Sequence, residues 1–239
     1  MMDAIILAGG LGTRLRSVVS DIPKCMAPVA GKPFLEYLLT YLAKYEVDRV
    51  ILSVGYLREV IFDWIKENGG KFPFEIDYAV EEEPLGTGGG IRLALQKAKS
   101  DSVFILNGDT FFDVDLNAFL LQHTAANRPI SLALKPMRNF DRYGSVELNE
   151  ANSEIAAFNE KAFCEQGLIN GGVYIINRST DVFNTLPQKF SFETEVLQPQ
   201  CLKHQLSGFV NDGYFIDIGI PSDYERVQTE LPAKIIAAQ

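Results

Sequence analysis

The sequence is short of the residues from which metal centres, disulfide scaffolds and membrane spans are made. It holds two histidines, His123 and His204, three widely spaced cysteines, Cys25, Cys164 and Cys201, and a single tryptophan in 239 residues. Neither HExxH nor CxxC occurs, so neither a histidine-based zinc site nor a dithiol redox centre is expected. Three separated cysteines cannot all pair, and free thiols fit a reducing compartment. No run approaches the roughly 20 apolar residues that cross a bilayer. The opening Met1-Met2-Asp3 has no basic character, and the apolar stretch 4–8 is too short for a secretory signal, so a soluble, cytoplasmic chain is expected. Positive charge is scarce as well: 22 Lys+Arg against 31 Asp+Glu give a net charge of −9. Such a chain is a poor general binder of nucleic acid or anionic membrane, though it can hold phosphates where its few cations are gathered in one place.

What is present is the composition of a folded domain, with 47% hydrophobic and 22% charged residues. The first half alternates. Short apolar runs of strand length lie at 4–7, 49–54, 74–80 and 103–106. Between them stand helical stripes: Leu35, Leu38, Leu39 and Leu42; Leu57, Val60, Ile61, Trp64 and Ile65, closed by Asn68-Gly69-Gly70; and Ile91, Ala94, Leu95 and Ala98. Strands buried on both faces and separated by helices predict βαβ units and a mainly parallel sheet. The second half is more mixed, with strands expected at 130–134, 144–148, 155–158, 172–176 and 214–218, some of them antiparallel. Helices are expected at 192–202, against the objection of Pro199 in its last turn, and at 222–231. No repeat, low-complexity tract or linker divides the chain. The expected fold is a single α/β domain over residues 1–232, a Rossmann-like mixed sheet flanked by helices, with residues 233–239 as a peripheral tail.

The sharpest local feature is the segment LAGGLGTRL at 7–15, directly after the first strand. Glycines there let a ligand approach backbone N–H groups, and successive N–H groups at a strand end cradle anions. In open α/β sheets the crevice outside the strand carboxyl ends is where ligands bind. The Rossmann pattern fails because position 15 is Leu15, not glycine. The Walker pattern fails because the only Gly-Lys, Gly31-Lys32, is followed by Pro33. Arg14 inside the loop and Lys24 in the segment PKCMAPV at 23–29 instead offer a guanidinium fork and a point ammonium beside the same loop. Asp109 and Asp217 each end an apolar strand. Alone, each reads equally well as a turn aspartate. Asp113 and Asp115 are rivals by proximity, but Leu116, Phe119 and Leu120 make Asp115 a helix N-cap.

LAGGLGTRL followed by PKxMAPV resembles the sugar-1-phosphate nucleotidyltransferases. The likeness continues through EEEPLGTGG at 81–89, NGD at 107–109, RYGSV at 142–146, NEK at 159–161, INGGVY at 169–174 and DIG at 217–219. Within that family the short length and the segment SDIPKCMAPVAGKPFLEYLL look most like enzymes that act on a heptose 1-phosphate with GTP. Mannose-1-phosphate guanylyltransferases, N-acetylmuramate-1-phosphate uridylyltransferases and glucose-1-phosphate thymidylyl- or cytidylyltransferases are the alternatives. The resemblance implies two halves, residues 1–129 for the nucleotide and 130–232 for the sugar phosphate. It implies catalytic roles for Arg14, Lys24 and Asp109, and Mg²⁺ held by Asp109 and Asp217, since that ion binds through one or two carboxylates plus substrate phosphates. Nucleotide contacts fall on Leu7, Ala8, Gly9, Gly10, Gly12, Thr13, Arg14, Lys24, Glu82, Leu85, Gly86, Thr87, Asn107 and Gly108. Sugar-phosphate contacts fall on Tyr143, Gly144, Asn159, Glu160, Lys161, Asn170, Gly171, Gly172 and Glu193. Without the resemblance, Glu160-Lys161 would be an ordinary surface pair, and the two can serve one site only at a bend. A guanine reader should offer acceptors; Glu82, Glu83 and the carbonyls near Leu85 and Gly86 are equally open.

The implied partners are a nucleoside triphosphate and a sugar 1-phosphate, with no nucleic acid and no membrane. The oligomeric state is left open, a homo-oligomer included. A phosphate monoester is largely dianionic at neutral pH, its second pKa being about 6, so the reaction needs no general base. That suits a chain with two histidines. A nicotinamide dehydrogenase is disfavoured by the missing third glycine and the intruding Arg14, and a non-catalytic nucleotide-sugar sensor by the presence of Arg14, Lys24, Asp109 and Asp217 together.

Overall fold

The computed structural model describes residues 1–10 and 22–237. In chain order its elements are β1 (Asp3–Leu7), β2 (Pro28–Val29), β3 (Lys32–Pro33), α1 (Phe34–Leu42), β4 (Arg49–Val54), α2 (Arg58–Asn68), β5 (Glu75–Val80), α3 (Gly86–Leu95), β6 (Ser102–Asn107), β7 (Thr110–Phe112) and α4 (Leu116–Ala126). There follow β8 (Ile130–Phe140), β9 (Gly144–Asn149), β10 (Glu154–Lys161), β11 (Cys164–Asn177), α5 (Gln198–Leu202), β12 (Leu206–Val210), β13 (Phe215–Asp217) and α6 (Pro221–Ala237). Among the described residues nine strands form one sheet in the order β5-β4-β1-β6-β11-β8-β12-β10-β9. β5, β4, β1 and β6 run parallel, β12 runs parallel to β8, and β11 is antiparallel to both β6 and β8.

The two-residue period of a strand explains why the central runs are apolar without a break. Ala4, Ile6, Val50, Leu52, Val54, Phe104 and Leu106 pack into one buried cluster with α1, Ile61 and Ile65 of α2, Phe119 of α4 and Val227 and Leu231 of α6. The residues between them, Ile5, Ile51, Val103 and Ile105, pack into a second cluster with Ile91, Ala94 and Leu95 of α3 and with Val196, Leu197 and Cys201. The central strands of the sheet are thus covered on both faces. No helix of the described residues is long and apolar enough to cross a membrane.

Several elements depart from expectation: β7 and β12 are strands that the sequence pattern does not predict, and β11 starts at Cys164 and not near 172. β8 runs on past Leu134 through Pro136. β12 ends opposite Leu134, so beyond that point β8 has β11 on one side, the edge position that a proline tolerates. The helix expected at 192–202 begins as an i→i+5 turn over Glu193–Leu197 and becomes α-helical only at Gln198, with Pro199 in its first turn. α6 does not stop at Leu231 but continues through Pro232 to Ala237, forgoing the one helical bond that Pro232 cannot donate. Asp115 does cap α4: its Oδ1 accepts from the N–H groups of Asn117 and Ala118, each at 3.0 Å.

Candidate active site

β6 runs out at Asn107, and Gly108 turns the chain against the end of β1. The Gly108 N–H donates to the Leu7 carbonyl at 3.1 Å, and a Cβ on Gly108 would lie 2.3 Å from that same oxygen. The next residues form β7, which pairs antiparallel with β13 so that Thr110 faces Asp217. The Ile218 N–H donates to the Asp109 carbonyl at 3.0 Å, and a Gly219 N–H at 2.7 Å fixes Asp217 Oδ1. Two carboxylates distant in sequence therefore lie side by side. Between them sits Lys24, at the start of a short 3₁₀ turn whose Cys25 and Met26 are buried beneath it. Its Nζ is 2.5 Å from Asp109 Oδ2 and 3.8 Å from Asp217 Oδ1. The ammonium thus occupies the space between the two carboxylates. Among the described residues no group of three or more His, Cys, Asp or Glu converges on a single point. A two-carboxylate site of this kind suits a hard divalent ion that takes its other oxygens from water and phosphates. Burial, with Asp109 adding to it, pushes the Cys25 thiol up to about 12, so Cys25 is no nucleophile.

Of the glycine segment, Gly9 and Gly10 follow β1 just after Ala8. Gly12, Thr13 and Arg14 lie outside the described residues. The Ala8 N–H donates to the Ser53 carbonyl at 2.8 Å. A Cβ on Gly9 would lie 3.1 Å from Glu81 Oε1 and 3.3 Å from the Gly55 nitrogen, whereas one on Gly10 would meet nothing within 4 Å. Glu81 is the residue that sequence reasoning passed over. Its Oε1 accepts from Ser53 Oγ at 3.1 Å, its Oε2 accepts from the Leu85 N–H at 3.0 Å, and Gly90 of α3 leaves room for it. Glu82 and Glu83 are exposed, and Glu82 is paired with Arg58, Oε2 to Nη1, at 3.0 Å. A signal for Glu81 existed in the strand period. Ala79 faces α3, so the residue two further on faces it as well.

On the other side of Asn107, β11 enters with Val173 opposite Leu106. Gly172, at φ +74°, presses on the Asn107 amide, its would-be Cβ 2.7 Å from Nδ2, and Gly171 presses on the Phe112 ring. Asn170 Oδ1 accepts from the Gly172 N–H and Asn170 Nδ2 donates to the Tyr174 hydroxyl, both at 3.0 Å. Burial, then the Glu193 carboxylate, raise the Tyr174 hydroxyl well above its ordinary range. Thr87 Oγ1 donates to Glu193 Oε2 at 3.0 Å and accepts from the Phe192 N–H at 2.9 Å. Gly86, at φ +73°, lies flush on the Phe190 carbonyl.

Tyr143 stands edge-on to Phe215 of β13, their ring centroids 6.0 Å apart. Burial and then the nearby Asp217 push its hydroxyl up to about 12. Gly144 admits the Asn159 carbonyl, which would be 2.4 Å from a Cβ. The Asn159 amide is taken by Ser145 Oγ and Glu147 Oε1 at 3.1 and 3.0 Å. Glu160 and Lys161 are exposed, and the β9–β10 register shifts between Phe158 and Lys161, which supplies a bend at that pair. The fold therefore gathers Lys24, Asn107, Gly108, Asp109, Tyr143 and Asp217 at one end of the sheet. Gly9, Glu81 and Leu85 lie on one flank of that end, and Thr87, Asn170, Gly172, Tyr174 and Glu193 on the other.

A family model described as Nucleotidyl transferase matches residues 3–234. Over 231 residues the chain is 48% identical to D-glycero-alpha-D-manno-heptose 1-phosphate guanylyltransferase of Aneurinibacillus thermoaerophilus, covering 96% of this chain and 98% of that one. Over 225 residues it is 49% identical to the Campylobacter jejuni protein of the same name, covering 93% and 97%. The solved structure of HddC from Yersinia pseudotuberculosis matches with a TM-score of 0.85 at 37% identity, covering 95% of this chain and 98% of that one. A second structure of HddC, complexed with GMP-PN, matches with a TM-score of 0.84. By family model and by full-length identity, this chain belongs to the nucleotidyl transferase family.

Proposed function

We propose that the chain transfers GMP from GTP to D-glycero-alpha-D-manno-heptose 1-phosphate, giving GDP-heptose and pyrophosphate. The observation that carries the reading is the convergence of Lys24, Asp109 and Asp217 at the carboxyl ends of the strands, beside the glycine segment. The names of the two relatives near 50% identity, and the guanine nucleotide analogue in the HddC complex, support the choice of base and sugar.

In this reading a phosphate oxygen of the sugar 1-phosphate forms a bond to the α-phosphorus of GTP as the bond to the departing pyrophosphate oxygen breaks. The nucleophile is already anionic, so no side chain must remove a proton. The work left to the protein is holding anions together in line. Mg²⁺ held by Asp109 and Asp217 would neutralise charge on the phosphates when bound. Lys24, released from Asp109, turns its ammonium to the triphosphate, with Arg14 as the second cation. Gly9 and Gly10 expose backbone N–H groups with no Cβ in the way. Guanine offers N1–H and N2–H₂ along one edge, and the Glu81 carboxylate is an acceptor for both. On the sugar flank, Asn170, Glu193, Glu160 and the backbone at Gly144 and Gly172 accept from or approach the hydroxyls, and Lys161 holds the attacking phosphate. A cytoplasmic location accompanies the reading, since nucleoside triphosphates are supplied there.

The test crosses four nucleoside triphosphates with heptose, mannose and glucose 1-phosphates and reads liberated pyrophosphate. Release confined to GTP with the heptose phosphate is the expected result. Faster release with UTP, CTP or a thymidine triphosphate, or with mannose 1-phosphate, would replace the base or the sugar in this reading.

A further inference from the structure

The connection from β11 to α5 crosses α3 at the point where that helix is made of glycine. A Cβ on Gly88 would lie 2.2 Å from the Phe190 ring, and one on Gly89 would lie 2.6 Å from the Gln188 carbonyl oxygen. The crossing segment thus lies against the helix with its backbone: its Phe190 carbonyl accepts from the Gly88 N–H at the helix start, while the carbonyls of Leu186, Pro187 and Gln188 turn to a side chain. Arg92, one turn further along α3, meets them. Its Nη1 donates to the carbonyls of Phe183 at 3.4 Å and Leu186 at 3.0 Å, and its Nη2 to those of Pro187 at 2.8 Å and Gln188 at 3.2 Å. Its guanidinium also lies 5.0 Å from the centre of the Phe190 ring. Four carbonyls on one fork is a task for which a lysine ammonium has neither the number nor the geometry of donors.

Beyond this clasp the chain is zipped to the start of α3. Phe190 N–H donates to the Leu85 carbonyl at 3.0 Å, and Gly88 N–H donates to the Phe190 carbonyl at 3.1 Å. Ser191 Oγ and Thr87 Oγ1 then both donate to Glu193 Oε2, at 3.1 and 3.0 Å. We infer that Arg92 is a positioning residue for the sugar subsite: it fixes the 183–190 segment on α3 and so sets where the Glu193 carboxylate stands. This rests on the sugar-side role proposed above for Glu193. The effect should be one-sided. α3 is anchored by Ile91, Ala94 and Leu95, and Glu193 follows directly on the clasped segment, its carboxylate held by Ser191 and Thr87 and its neighbours Phe192, Val196 and Leu197 buried.

The experiment measures both Michaelis constants of the full chain for wild type, Arg92→Lys, Glu193→Gln and the double variant. Phe183, Phe190 and Phe192 are buried in the core and keep the segment on the protein when the fork is lost. Arg92→Lys is expected to raise KM for the heptose 1-phosphate about tenfold while KM for GTP changes less than about twofold, a 1 Å displacement being enough for such a loss. The double variant should be no worse than Glu193→Gln alone. If both constants rise together, or if the two substitutions add in full, Arg92 does not act through Glu193 and the inference is overturned. If Glu193→Gln itself leaves the sugar-phosphate KM unchanged, the sugar-side role of Glu193 fails first and takes the inference with it. Should Arg92→Lys not fold, Arg92→Gln, whose amide can serve at most two of the four carbonyls, carries the same expectation.

Discussion

On one side of Asn107 the sheet is four parallel strands, β5, β4, β1 and β6, paired in continuous register, of which β4, β1 and β6 are buried on both faces. On the other side β8, β9, β10 and β11 carry three register shifts, at Ile155/Ala157, Phe158/Lys161 and Asn170/Tyr174. The shifts near Lys161 and at Gly172 fall on residues assigned above to the sugar phosphate. The regular side presents backbone and Asp109 on continuously paired strands, and β13 brings Asp217 to it from outside the nine-stranded sheet. The irregular side uses bulges to re-aim side chains that strict alternation would send to opposite faces. A transferase of this kind needs both. The triphosphate must be held rigidly for an in-line displacement, whereas a sugar is recognised by many hydroxyls pointing in several directions. The Thr87–Glu193 hydrogen bond and the Arg92 clasp join the two sides.

That comparison can be broken by substitution, beginning where the largest effect is expected. Asp109→Asn removes charge from the rigid side at the reacting phosphates, and turnover should fall about 10³-fold, roughly 4 kcal/mol, with an unchanged melting profile. A near-normal rate with Mg²⁺ would take Asp109 out of the site. Next come two glycines that each meet a carbonyl oxygen. Gly108→Ala collides with the Leu7 carbonyl between strands fixed on both sides and should cost about 3 kcal/mol in denaturant unfolding; Gly144→Ala collides with the Asn159 carbonyl at an exposed hairpin end that can shift, and should cost about 1 kcal/mol. Equal costs would mean the two regions do not differ in stiffness. Smaller than the Gly108 effect is that of Glu81→Gln, which should raise KM for GTP on the order of 10–100-fold, as loss of a charged hydrogen bond does, with the sugar-phosphate KM unchanged and Glu82→Gln silent. The reverse ranking of the two glutamates would return base reading to Glu82.

The smallest effect concerns His123, buried on the sugar side between Ser131 Oγ at 2.6 Å and Asn177 Oδ1 at 2.8 Å. Burial lowers its pKa below the ordinary value of 6.5. The unfolded chain therefore binds the proton more readily, and the stability is fully present above about pH 6.5 and is lost as pH falls through the lower, folded-state value. Melting temperature should drop between pH 7.5 and pH 5.5, and His123→Asn should flatten that slope; an equal slope in the variant would exclude His123 as its source.

The regular side was the more legible in the sequence, and for a physical reason. Strands buried on both faces write continuous apolar runs, as at Ile5 and Ile105, and amphipathic helices write stripes such as Val60, Ile61, Trp64 and Ile65. The N-cap at Asp115 was readable because it depends on its immediate neighbours. β12 was not, because Gly208 in its centre is shaped by Leu134 and Leu148, which would lie 2.5 and 2.6 Å from a Cβ there. Nor was β7, three residues held in place by β13 from the far end of the chain. At the site, Asp109 and Asp217 stood out as strand ends, but nothing local places the Lys24 ammonium between them, and Glu81 hid beside two more conspicuous glutamates. What the sequence conceals is whatever is fixed by tertiary approach.

Asp109 and Asp217 are proposed to hold a divalent cation in the position that the Lys24 ammonium fills. Anomalous scattering from crystals of the full chain grown with Mn²⁺ and a non-hydrolysable GTP analogue tests it most directly. The expected result is a manganese peak in coordination distance of both carboxylates and of the nucleotide phosphates, with Lys24 Nζ moved off Asp109. Manganese bound elsewhere, with the Lys24–Asp109 pair intact beside the bound nucleotide, would contradict it.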